Sequence, residues 1–215
     1  MPPDALEAIH AALDATRRAG TAIVRHPTQP EGPTGPLPYG LDGFADLARC
    51  RVALGSGALV WDGERSFRER DGEWVAAPTE RAFTAFESHP LWMLLDGVRW
   101  TDPHDLGPGQ VDGHPVRRLG ARVEPPRRSV RRRRANAELW VGEDGLVRLA
   151  SIQIQPVVIT ADKDLGRAAE RLVGTAENPI WHTTVLSRFG VEVDIPEPPG
   201  TARSRRFARD RRTAR

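Results

Sequence analysis

Six Asp-Gly pairs punctuate the chain, at 42–43, 62–63, 71–72, 96–97, 112–113 and 144–145. Asp-Gly suits a two-residue turn whose central residues both take positive φ. Such a turn matches the right-handed twist of an antiparallel hairpin. Four of the pairs, beginning at Asp62, Asp71, Asp112 and Asp144, lie between or beside runs that alternate like strands. A chain cut in this way is expected to form an antiparallel meander, each strand joined to its neighbour in sequence. Twenty Gly and nineteen Pro among 215 residues exclude a long helical bundle.

Between the turns the periodicity alternates between helix-like and strand-like. Residues 4–19 read as a helix: Asp4 suits the N-cap, Glu7 stands three residues on, and Leu6, Ile9, Leu13 and Thr16 recur on one face. Gly20 is placed to end it. Residues 21–25 read as a short strand, and five prolines within 26–39 predict an extended loop. A period of two then places Ala48, Cys50, Val52 and Leu54 on one strand face, with Leu47, Arg49 and Arg51 opposite. Cys50 is read there as a small strand residue. Strands are expected at 58–61, 64–70 and 73–77. A dense apolar stretch, 79–100, predicts two short helices divided at His89-Pro90, the second running from Pro90 to about Asp96. Strands resume at 115–123, 135–141, 146–159, 180–186 and 191–195, with a helical insertion at 162–174. The length predicts one domain, residues 1–199, followed by a tail, 200–215, whose charge and lack of periodicity predict disorder.

Composition narrows the function classes. A mean hydropathy of −0.46 and the absence of a long apolar run exclude a helical membrane span. The single Cys50 excludes an intramolecular disulfide and a Cys-rich zinc site. The net charge of +2 is uneven, because residues 201–215 alone hold seven Arg and one Asp. The body is therefore acidic, and its other basic block is Arg127, Arg128, Arg131, Arg132, Arg133 and Arg134. Glu7, His10 and Asp14 interrupt any apolar run near Met1, so no secretory signal is legible. Leu47-Ala48-Arg49-Cys50 follows no apolar run and is not read as a lipidation site. The sequence as it stands is expected to remain in the cytoplasm.

Five stretches, taken in order, carry a resemblance. They are Trp61-Asp62-Gly63-Glu64-Arg65-Ser66-Phe67-Arg68, His89-Pro90-Leu91-Trp92-Met93-Leu94-Leu95, and Val111-Asp112-Gly113-His114-Pro115-Val116-Arg117-Arg118. Glu138-Leu139-Trp140-Val141 with Asp144-Gly145-Leu146-Val147-Arg148 makes the fourth. The fifth is Thr183-Thr184-Val185-Leu186 with Phe189-Gly190-Val191 and Ile195-Pro196. With the order helix, meander, apolar helices, meander, the chain resembles the LolA-like superfamily, most closely its actinobacterial lipoprotein branch of the LppX and LprG type. The resemblance implies an α+β fold, a strongly curved antiparallel half-barrel wrapped around a few helices. It implies a non-enzymatic carrier that holds a lipid or acyl chain between sheet and helices, with no cofactor. Relatives of this type belong to the cell envelope and are anchored through a lipidated Cys after a signal peptide, features not read in this sequence.

The candidate pocket residues are Phe83, Phe86, Leu91, Trp92, Leu95 and Trp100, with Trp74 and Trp140 expected to reach in from the sheet. The same residues would equally serve a filled core, making the chain a structural or regulatory module. The Arg127–Arg134 block and the tail are candidates for an anionic membrane surface or nucleic acid, against the plain reading of solvated charge. Asp102, His104, Asp105, Asp112 and His114 hold metal-ligand chemistry, but the prolines and glycines among them read as a turn-rich connector, so no metal is assigned. Gly55-Ser56-Gly57 lacks the third glycine and the following helix of a nucleotide site. No nucleophile or acid–base pair has a convincing context, so catalysis is not expected.

Overall fold

The computed structural model describes residues 4–25, 42–55, 59–61, 66–70, 72–76, 90–94, 98–124, 135–154 and 180–197. The expected helices within 79–89 and 162–174, the proline-rich loop, the Arg127–Arg134 block and the tail lie outside these residues.

The chain opens with α1 (Ala5–Arg18), whose Ile9, Ala12, Leu13 and Thr16 are buried on one face. Asp4 occupies the N-cap without a side-chain bond to the helix. Gly20, at φ 83°, turns the chain out of it. Six strands follow: β1 (Thr21–Arg25), β2 (Gly43–Asp46), β3 (Arg51–Leu54), β4 (Leu59–Trp61), β5 (Ser66–Arg70) and β6 (Glu73–Ala76). A short 3₁₀ turn, η1 (Pro90–Leu94), leads to β7 (Arg99–Val111), β8 (His114–Glu124), β9 (Ala135–Gly142), β10 (Val147–Ile154) and β11 (Ile180–Ser187).

The eleven strands of the described residues form one open antiparallel sheet, in the order β6-β5-β4-β3-β2-β1-β11-β10-β9-β8-β7. Two sequential meanders, β1 to β6 and β7 to β11, are joined where the first strand meets the last, with Val24 opposite Leu186. Two hairpin turns fall at Asp-Gly pairs, Asp112-Gly113 between β7 and β8 and Asp144-Gly145 between β9 and β10. Asp112 and Gly113 take φ of 49° and 79° between β7 and β8, the two positive values that a twisted two-residue turn requires.

The sheet is curved into a half-barrel. Helix α1 touches both β10 and the edge strand β7. The inner face carries Val24, Ala45, Val52, Leu54, Trp61, Trp100, Leu119, Val123, Leu139, Ala150 and Leu186 in one apolar cluster with Ile9 and Leu13 of α1 and Leu91, Met93 and Leu94 of η1. Two polar links hold the plug in place. Arg17 Nε donates to Leu94 O at 2.7 Å, and Thr16 Oγ1 accepts from the Val147 N–H at 2.9 Å.

Three expectations are corrected. Residues 102–113 are not a connector: most of the stretch is β7. Its Pro103 and Pro108 lack an N–H, which a central strand would need on both sides, but β7 is an edge strand and tolerates them. Gly107, at φ 84°, sits where the register against β8 shifts. Residues 48–50 are not strand. Residues 47–50 form the turn between β2 and β3, and Cys50 takes φ of 54° in the left-handed region. Finally, 191–195 is not a sheet strand. It lies as an extended strap on the outer face, where Ile195 and Val193 pack with Ala53, Val60 and Trp74. Arg51 Nη2 donates to Ile195 O and Pro196 O at 3.2 and 3.0 Å, fixing the strap's far end.

Candidate functional site

The inner face is the candidate site, and strand parity decides which residues reach it. On β9, Ala137 and Leu139 point inward, and their partners Ile152 and Ala150 on β10 do the same. On β7 and β8, Trp100 faces inward beside Val123. From the covering side, Leu91, Met93 and Leu94 are all at most 2% exposed. Alanines at 22, 45, 121, 137 and 150 leave the inner surface low in several places, which lets helices or an apolar guest approach the backbone closely.

Of the residues expected in the pocket, Leu91 and Trp100 belong to this cluster. Trp92 lies within η1, and Phe83, Phe86 and Leu95 lie outside the described residues. The inward reach expected of Trp74 and Trp140 is not found. Both occupy the opposite parity to the core positions of their neighbours and sit on the outer face. Trp74 packs with Ala53, Val60 and Ile195, and Trp140 with Val111, Val116, Val185 and Leu149.

The outer cluster around Trp140 is a structure of its own. Paired residues place Arg25, Val185, Leu149, Trp140 and Arg118 in one row across five strands. The Arg118 guanidinium lies 4.8 Å from the centre of the Trp140 ring. Trp140 Nε1 and Arg118 Nη2 both donate to Glu138 Oε2, at 2.9 and 3.3 Å. Gly109 makes room for this stack, since a Cβ there would meet Arg118 Cδ at 2.7 Å and the Trp140 ring at 3.4 Å. The β7–β8 hairpin tip closes the cluster, with Val111 packed under it and Asp112 paired to Arg25.

The polar residues of β7 and β8 serve the hairpin. His104 Nδ1 lies 2.9 Å from Asp102 O. Asp105 accepts from the Gly107 N–H at 2.8 Å and from Arg117 Nε at 2.9 Å. These bonds, the Gly107 amide first and Arg117 second, hold its carboxyl below the ordinary value. Among the described residues no three His, Cys, Asp or Glu side chains come together to hold a metal. A cleft of about 440 Å³ opens at the rim between the hairpin tip, the β9–β10 turn and the end of β11. Asp112 and Asp144 on its walls are paired with Arg25 and Arg148.

A curved, open antiparallel sheet holding helices against its inner face defines the LolA-like half-barrel fold. Among solved structures, the lipoprotein LppX of Mycobacterium tuberculosis shares it, with a TM-score of 0.51, 16% identity, and coverage of 91% of this chain and 100% of LppX. LprF of Mycobacterium bovis aligns with a TM-score of 0.44 at 12% identity, over 91% of this chain and 97% of LprF. The MucA/MucB complex of Pseudomonas aeruginosa aligns with a TM-score of 0.36 at 16% identity, over 91% of this chain and 61% of the matched one. No family model matches the chain, and no curated protein matches it in sequence. The resemblance expected from the sequence is therefore shown as one of fold. No helix among the described residues is long and apolar enough to cross a membrane.

Proposed function

We propose that this protein is a non-enzymatic carrier or binding protein for a hydrophobic ligand, a lipid or an acyl chain, held between the inner face of the half-barrel and the helices against it. One observation carries the reading: a continuous apolar inner face, running from Trp61 to Trp100 and lowered by alanines, on a sheet that its edges leave open. Such concave apolar surfaces are where apolar ligands bind. Each methylene transferred from water adds about 0.8 kcal/mol, so one long chain supplies the affinity without polar contacts. The proposed lining is Leu91 and Trp100, joined by Phe83, Phe86, Trp92 and Leu95 from the flanking apolar stretch. The shared fold of the lipoprotein LppX supports the reading.

A second reading, a structural module with a filled interior, draws on the near-complete burial of Leu91, Met93 and Leu94 by the protein's own residues. Mass spectrometry of organic extracts from natively purified protein separates the two. The carrier releases acyl lipid, and after delipidation takes up a fluorescent fatty acid with saturation. Asp at Leu91 or Trp92 abolishes that uptake in variants that stay folded. Neither extractable lipid nor uptake would leave the filled module standing.

A further inference from the structure

Among the described residues, two threonines lie fully buried on the inner side, and they differ in one respect. Thr16, on α1, donates to Ala12 O at 2.6 Å and accepts from the Val147 N–H. Thr184, on β11, is 0% exposed, and its Oγ1 has no hydrogen-bond partner among the described residues. Parity fixes where Thr184 stands. It lies opposite Ala150, an inner-face residue, and two positions before Leu186, another. η1 packs against both β10 and β11, the two strands that carry this pair.

A hydroxyl without a partner in an apolar interior destabilises a fold, because water is lost and nothing replaces it. Valine has nearly the same shape and would avoid that loss. A hydroxyl in this position makes sense when something else supplies the acceptor. Resting on the carrier reading above, we propose that Thr184 Oγ1 is the polar anchor of the ligand site, donating a hydrogen bond to a carbonyl oxygen of an acyl ester or acid. The apolar face then takes the chain, and Thr184 fixes its depth. The ligand class narrows from hydrocarbon in general to acyl compounds with an acceptor oxygen at the head of the chain.

Two probes test this on the delipidated full-length protein: diphenylhexatriene, a pure hydrocarbon, and its propionic acid derivative as the methyl ester. Thr184→Val is expected to weaken ester binding roughly tenfold, the size of one neutral hydrogen bond, and to leave diphenylhexatriene binding unchanged. Thr184→Ser keeps the hydroxyl and is expected to keep ester affinity. The unliganded valine variant is expected to melt at or above the wild-type temperature, which also shows that it folds. Equal effects on both probes, or no effect on either, overturn the anchor and leave the carrier reading intact. A valine variant that melts below the wild type also overturns the anchor, because the hydroxyl then has a structural partner. Failure of the wild type to bind either probe overturns both.

Discussion

Arg25 at the end of β1 pairs with Asp112 at the tip of the β7–β8 hairpin, 87 residues further along the chain. Three strands, β9, β10 and β11, lie between β8 and β1. The hairpin tip thus bends back over the outer face, and the pair clips it above Val111, Val185 and Trp140.

Both partners of this clip are substantially exposed, so its contribution to stability is small, about 1 kcal/mol at most. Asp112→Asn removes the charge while suiting the positive φ of the turn. The variant is expected to unfold at nearly the wild-type urea midpoint. Amide exchange at 111–116 is expected to rise selectively. Uniform exchange across β7 and β8 in both proteins would show that the pair holds nothing in place.

Trp140→Ala is expected to destabilise the protein by about 2 kcal/mol, less than the ~3–5 of a fully buried tryptophan, since the ring is half-buried. Uptake of a fluorescent fatty acid is expected to survive, because Trp140 faces away from the inner cluster. Denaturant titration gives the first quantity and fluorescence the second. Loss of uptake in the folded variant would mean that ligand binds on the outer face.

Thr16→Val leaves the buried Val147 N–H without its acceptor. Its expected cost is about 1–3 kcal/mol, with Thr16→Ser close to wild type. Urea midpoints of the three proteins check this. A valine variant as stable as the wild type would show that the α1 to β10 link is dispensable.

Asp105 gives the molecule a pH response. Its carboxyl is held below the ordinary value by the Gly107 amide and Arg117, so its stabilisation is complete above the ordinary carboxylate range. That contribution is lost as pH falls through the lowered value. Carbon NMR titration of the Asp105 carboxyl is expected to show a low midpoint that rises in Arg117→Gln. An unchanged midpoint would assign the shift to the Gly107 amide alone.

The sequence determined what near neighbours decide. The α1 face of Ile9, Leu13 and Thr16, the end of the helix at Gly20, and the turns at Asp112-Gly113 and Asp144-Gly145 follow from periodicity and local backbone preference. The resemblance carried the half-barrel. Tertiary structure alone decided which face of each strand is inside. Trp74 and Trp140 are apolar residues on alternating strands, and nothing within those strands distinguishes a packed inner face from a packed outer one. The strap of Val193 and Ile195 and the returning hairpin tip cover the outer face, and both come from distant segments. Likewise, prolines and glycines gave β7 the look of a connector until its place at the sheet edge removed the demand for a donor on each side. The Thr16 hydroxyl found a distant amide, and the Thr184 hydroxyl found no partner among the described residues. That difference depends on chain segments that local sequence cannot bring together.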